Sequence, residues 1–440
     1  MKKLIIGLSA LGMTLTLSAG MSGVELQQKR DGFAAKRFGI FIHWGLYATY
    51  AQGEWFLETS KGEVREGTYA QAMHGFYPAR FDAREWARTF RKAGAKYVTI
   101  TSRHHDGFSL WPSKVDDGYN IANTPFKRDI LGELAAACKA EGLQLNFYYS
   151  LMDWHRPDYP TGRQKAARRT LKVRNEDYAS YKRFMMAQIA ELLDAYHPGN
   201  IWFDGEWDHD PKWSDSANPM DWGFDEIYDL IHSKGALVAN NHHHAMRDKE
   251  DIQLFERDLP GDNTTGFSAG QPVEAGRPIE QCDVIQRGVW GFRVSENGFR
   301  TAEDVVAMVA RAAAKDANLL MNIGPQGDGA LPAKAVEALE KTGAWFAANG
   351  ESVYGTRAAG LNLGTDVVTT RKGDALYLHF LNPSVGKTAF SLDGKVVSAM
   401  RLADGKAVPV ERTASGDVVV TALREKGDAF DTVVKLVVSR

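Results

Sequence analysis

The sequence predicts a (β/α)8-like barrel followed by a C-terminal antiparallel β-sandwich. Two observations carry this. From residue 38 to about residue 348, short apolar, β-branched or aromatic runs alternate with stretches of helical apolar spacing, and the strand-like run recurs eight times. Past "AWFAANGESVYGT" the helical period stops, and period-two runs are broken by KGD, LDGK, ADGK and SGD turns.

In chain order, the first strand is read at "FGIFIHW" (38–44), with the helix "AREWARTFRKAG" ending at its glycine. "YVTITSRH" (97–104) leads to the helix "DILGELAAACKAEG", and "QLNFYYS" (144–150) to "YASYKRFMMAQIAELLDAY". "NIWFDG" (200–205) precedes a helical pattern that begins at about Phe224. "ALVANN" (236–241), "IQLFE" (252–256) and "CDVIQ" (282–286) follow without a convincing helix between them, so an irregular side of the barrel is expected there. "AEDVVAMVARAAAKD" and the eighth strand "NLLMNIG" (318–324) complete the alternation. The expected barrel domain spans 24–355 and the sandwich domain 356–440.

The first 20 residues, "MKKLIIGLSALGMTLTLSAG", combine two lysines, an apolar run and terminal small residues, the pattern of a secretory signal. The expected location is periplasmic or secreted. The run is too short for a comfortable membrane span, and no membrane partner is expected. Lys and Arg number 53 against 55 Asp and Glu, so no electrostatic pull toward nucleic acid is expected either. Two cysteines, Cys138 and Cys282, make no disulfide framework and read as buried thiols.

Barrel enzymes place reacting groups at the carboxyl ends of their strands. Here those ends hold His43-Trp44, His104-His105-Asp106, Tyr148-Tyr149-Ser150, Asp204, Asn240-Asn241-His242, Glu256 and Asn322. Caps and turn formers alone would supply Ser, Thr, Gly and Asp, with few His or aromatic residues. Asp204 and Trp202, two apart on a strand, share a face, while Phe203 takes the other. A carboxylate beside an aromatic wall and histidine donors suits attack on a sugar C1, and Glu256 supplies a second carboxyl, the pair that glycoside hydrolysis needs. The histidines also invite a metal reading. Neighbouring strand residues face opposite ways, however, and no H-E-x-x-H or clustered Cys is present, so neither metal nor cofactor is expected.

The runs "RFGIFIHWGLYATYAQGEWF", "YVTITSRHHDGFSLWPS", "NFYYSLMDWHRPDY", "IWFDGEW" and "LLMNIGPQGDG" resemble, in that order, the α-L-fucosidases of glycoside hydrolase family 29 over roughly residues 37–355. The resemblance implies a retaining, metal-independent exo-glycosidase acting on fucosylated glycans, with Asp204 as nucleophile. It further implies that His43, His104 and His105 hydrogen-bond the sugar hydroxyls, and that Trp55, Tyr149 and Trp202 shape the pocket around the sugar and its C5 methyl. Glu54 and His242 join this expected binding set. Alternation leaves open whether Tyr148 or Tyr149 points inward.

Two departures stand out. In the family an NDR or NNR run often follows the fifth strand and its arginine helps hold the sugar, whereas "ANNHHH" puts His242 there. This leaves a fucose-like sugar, or a catalytically silent sugar-binding protein, as alternatives; a metal-dependent hydrolase is a third. The acid/base is either Glu256 in "LFERDLP" or Glu280 in "PIEQC", with Glu54 and Asp106 as outside candidates. Strand-end position favours Glu256, since Glu280 would precede its strand, at the opposite end of the barrel.

Overall fold

The computed structural model describes residues 21–163, 165–209, 220–268, 271–422 and 431–439. The expected signal at 1–20 lies outside the described residues. Eight parallel strands form one sheet: β1 (Phe38–Ile42), β2 (Tyr97–Arg103), β3 (Gln144–Ser150), β4 (Asn200–Asp204), β5 (Leu237–Asn241), β6 (Gln253–Glu256), β7 (Ile279–Val284) and β8 (Ala317–Ile323). Their order, β5-β4-β3-β2-β1-β8-β7-β6, puts β1 beside β8, and the parallel bridge from Ala239 to Ile252 joins the ends, β5 and β6. Every residue of β1 and β2 is buried, as expected of strands covered on both faces.

Four barrel helices begin where side chains satisfy the N–H groups that a first turn leaves unpaired. Asp82 caps the helix Ala83–Lys92, Asp129 caps Ile130–Ala140, and Asp177 caps Tyr178–Tyr196. Thr301 and Asp304 bond reciprocally at the start of Ala302–Ala314. Among the described residues no helix lies between β5 and β6 or between β6 and β7, the irregular side that the sequence pattern indicates. None is long and apolar enough to cross a membrane.

The seventh strand differs from its expected position. It runs from Ile279 to Val284, three residues earlier than "CDVIQ", because Ile279 already pairs with Gln253 on one side and Ala317 on the other. The polar residues Glu280, Gln281 and Asp283 hide this strand from a hydrophobicity reading. Glu280 therefore lies inside its strand rather than before it.

Beyond the barrel, β9 (Arg357–Ala358), β10 (Val367–Lys372), β11 (Ala375–Phe380), β13 (Lys395–Arg401) and β16 (Thr432–Ser439) form one antiparallel sheet, and β12 (Lys387–Phe390), β14 (Val410–Arg412) and β15 (Val418–Thr421) form another. Leu378, Phe380, Val418, Val420 and Leu436 belong to one buried apolar cluster that draws on both sheets. The Trp345 indole donates to the Asp431 carbonyl, and the Thr370 hydroxyl to the Ser352 carbonyl, tying the sandwich to the last barrel helix, Ala333–Asn349, and the turn after it.

That last helix approaches Ala83–Lys92 closely at Gly343, where a Cβ would collide with the Lys92 carbonyl oxygen. Gly343→Ala is expected to cost about 2 kcal/mol, seen as a lower urea midpoint at constant m. Gly67→Ala, in the short helix Glu66–Ala70 with open space at its Cβ, is the tolerated control.

Candidate active site

The carboxyl ends of the strands open into one cavity of about 450 Å3. Asp204, Glu256, His43, Glu54, Trp55, His104 and Trp202 all line it. His105 stands just behind, with its Nε2 3.6 Å from Asp204 Oδ2. Tyr149 and His242 do not line it.

Strand alternation explains both exceptions. Tyr148 is in register with Trp202, and the two rings lie 5.5 Å apart on the inner face. Tyr149 therefore points outward, where its hydroxyl donates to Gln188 at 2.8 Å and the Arg103 guanidinium lies 4.5 Å from its ring. Tyr148 is thus the pocket tyrosine. In the same way Asn241 faces in, while Asn240 and His242 face out. His242 bonds Glu250 at 2.8 Å, in a buried cluster with Glu206 and Arg247.

Asp204 accepts from the Tyr148 hydroxyl at 2.9 Å and from the Trp207 indole at 3.3 Å. Burial first, and the nearby Glu256 charge second, push its carboxyl up to about 6. Burial also raises Glu256. One amide joins the two acids: Asn241 Nδ2 donates to Asp204 Oδ1 at 3.3 Å and to Glu256 Oε2 at 3.0 Å. Those distances cap the separation of the two oxygens at about 6.3 Å.

Hydrogen bonding also assigns the tautomers of two histidines. Asn322 donates its amide to the Trp290 carbonyl, so its oxygen faces His43 Nδ1 at 2.7 Å and accepts a hydrogen bond from it. The single hydroxyl proton of Ser150 goes to the Met152 carbonyl, so His105 Nδ1 donates to Ser150 Oγ at 2.6 Å. In both rings Nε2 is left as an acceptor for a ligand hydroxyl. Burial holds His43 down to about 3 and keeps His104 and His105 well below the usual imidazole range, so all three are neutral. His104 Nδ1 is buried without a hydrogen-bond partner.

Glu280 lies beneath the cavity. Its carboxyl accepts from the Tyr97 hydroxyl at 2.6 Å and the Trp202 indole at 3.0 Å, and burial lifts it to about 7. Both oxygens are thus engaged in positioning the pocket floor. Asp106, held by the Tyr69 hydroxyl at 2.7 Å, does not line the cavity either.

Loops add residues that strand-end reasoning misses: Trp207, His243, Arg257, Phe267 and Trp290. Arg257 follows Glu256 directly in the chain, the one available signal. Its guanidinium stands 5.2 Å from the Trp290 ring, and its buried Nε has no acceptor. Guanidinium groups do reach this cavity, therefore, but from the end of β6 and, through Arg163, from the stretch after β3, rather than from β5. Among the described residues no three His, Cys, Asp or Glu side chains are grouped as a metal site requires.

The sequence pattern of the family described as alpha-L-fucosidase matches residues 19–351. An alpha-L-fucosidase of Branchiostoma floridae is 31% identical over 80% of this chain and 79% of its own. Among solved structures, alpha-L-fucosidase isoenzyme 1 from Paenibacillus thiaminolyticus superposes with a TM-score of 0.81 at 32% identity, covering 94% of this chain and 100% of that one. A GH29 alpha-L-fucosidase from Bacteroides thetaiotaomicron, captured as a trapped covalent intermediate with 2-fluoro-fucosyl fluoride, gives 0.76 at 28% identity over 96% of this chain and 98% of its own.

The electrostatics predict an effect on stability. Because the folded state raises the Asp204 carboxyl to about 6, ionising it opposes folding above that pH, and the penalty vanishes below the unfolded value of about 3.9. Asp204→Asn is expected to stabilise the protein by on the order of 2 kcal/mol at pH 7.5, with the gain fading as pH falls toward about 4. Thermal unfolding across that range measures it.

Proposed function

The chain belongs to the alpha-L-fucosidase family and is a glycoside hydrolase, and we propose that it removes terminal α-L-fucose by double displacement with retention. The observation that carries this reading is the forked Asn241 amide. It holds an Asp204 oxygen and a Glu256 oxygen within about 6.3 Å of each other, short of the roughly 6.5–9.5 Å that inverting enzymes need for a water and compatible with the roughly 5–5.5 Å spacing of retaining ones. The trapped covalent intermediate of the Bacteroides relative supports the same chemistry.

In the first step Asp204 attacks C1 while Glu256, whose carboxyl burial shifts toward the protonated form, gives its proton to the departing oxygen. The anomeric carbon is then esterified to Asp204. In the second step Glu256, now ionised, takes a proton from water, which attacks C1 and frees Asp204. The Asn241 amide supports the ionised form of each acid in turn. Neutral His43 accepts from a sugar hydroxyl through Nε2, and Tyr148, Trp202 and Trp290 wall the sugar. Arg257 offers the cation that His242, turned outward, does not. The outward turn of His242 also removes the feature that favoured a silent binding protein.

Glu256→Ala is expected to lose more than about 100-fold in kcat on a fucosyl oligosaccharide but to retain turnover of a dinitrophenyl fucoside. Azide should restore that turnover and yield the α-fucosyl azide, visible by NMR. Glu280→Gln should show no azide effect and instead lose thermal stability; the reverse pattern would overturn the assignment.

Since attack needs ionised Asp204, kcat/KM should fall below an acidic limb near pH 6. A limb near the ordinary carboxylate range, about 4, would contradict the buried dyad.

A further inference from the structure

Phe267 keeps 37% of its surface exposed, yet it belongs to the cavity wall. Its ring lies against His243, with centroids 5.4 Å and planes 26° apart. His243 is itself buried, with Nε2 3.6 Å from Glu256 Oε2. The stack thus runs outward from Glu256 and ends on an aromatic ring that water reaches. Leaving such a ring exposed forgoes its burial energy, and at the wall of a cavity this marks a ligand surface.

Three other aromatic residues of the cavity are accounted for differently. Phe41, Tyr148 and Trp202 pack on one another, with Phe41 5.2 Å and Tyr148 5.5 Å from Trp202, and all three are buried. They form the floor around Asp204. At about 450 Å3 the cavity falls in the roughly 300–1,000 Å3 range of pockets that enclose drug-sized ligands, larger than one monosaccharide. Room therefore remains beyond the fucosyl group.

We propose that Phe267, backed by His243, is the platform on which the leaving sugar stacks, a hexopyranose presenting its C–H face. The inference rests on Glu256 being the acid/base. The group that protonates the glycosidic oxygen touches the bond between the two sugars, so the residues stacked outward from it meet the leaving one. Stacking on a ring face supplies affinity while tolerating several linkages, and it leaves the bond-breaking steps to Asp204 and Glu256.

The test compares α-L-fucosyl fluoride, which has no leaving sugar, with a fucosyl-hexose disaccharide. In Phe267→Ala the ratio of kcat/KM for the disaccharide to that for the fluoride should fall about tenfold, mainly through KM, and Phe267→Tyr should restore it. Both substrates are read on one preparation, so partial unfolding lowers both rates and leaves the ratio alone. An unmoved ratio in Phe267→Ala, or a Phe267→Tyr variant as impaired as Phe267→Ala, would overturn the platform. Failure of the wild-type protein to release fluoride would overturn the hydrolase reading instead, and so is separable.

Discussion

The site depends on the register between β3, β4 and β5. Parallel pairing sets Tyr148 beside Trp202 and Trp202 beside Ala239, and one step further it sets Ser150 beside Asp204 and Asp204 beside Asn241. These rows face the barrel interior, while Tyr149, Phe203 and Asn240, the row between, face the helices. A slip of one residue would turn every member of both rows outward. The upper row yields a continuous chain of contacts from Ser150 through His105 to Asp204, then through Asn241 to Glu256.

Charge is distributed so that this chain stays poised. The pocket histidines are neutral because burial disfavours their charged forms. The compensated charges sit one layer out, behind β5. There, burial works against the Glu206 charge, yet His244, His242 and Arg247 hold its carboxyl down to about 2, and Glu250 is lowered as well. This cluster clamps the residues that follow β5, where no helix exists to do so, and Asn240 joins it by donating an amide hydrogen bond to Glu206 at 2.9 Å. His242 is spent on that clamp.

Glu280 shows how a buried acid can serve a site without facing the ligand. Its two oxygens hold Tyr97 and Trp202 from below, so the indole that lines the cavity cannot rotate without leaving a carboxyl unpaired in the interior. The same burial that raises this carboxyl makes it unsuitable for exchange with solvent.

Much of this was legible in the sequence. The alternation of strand and helix identified the barrel because periodicity is a local property, and His43, His104, Asp204 and Glu256 were visible because strand ends in a barrel converge wherever they lie in the chain. The irregular stretch after β5 showed itself by its lack of helical spacing. Four things were decided only by tertiary structure. Which of Tyr148 and Tyr149 faces inward follows from pairing with Trp202 on another strand. The start of β7 follows from pairing with β6 and β8, which makes its polar residues strand residues. His242 is drawn outward by Glu250. Arg257, Phe267 and Trp290 enter the cavity from loops whose paths no local pattern encodes. In each case the deciding contact is one that no local period of the sequence encodes, and it exists only once the chain has folded.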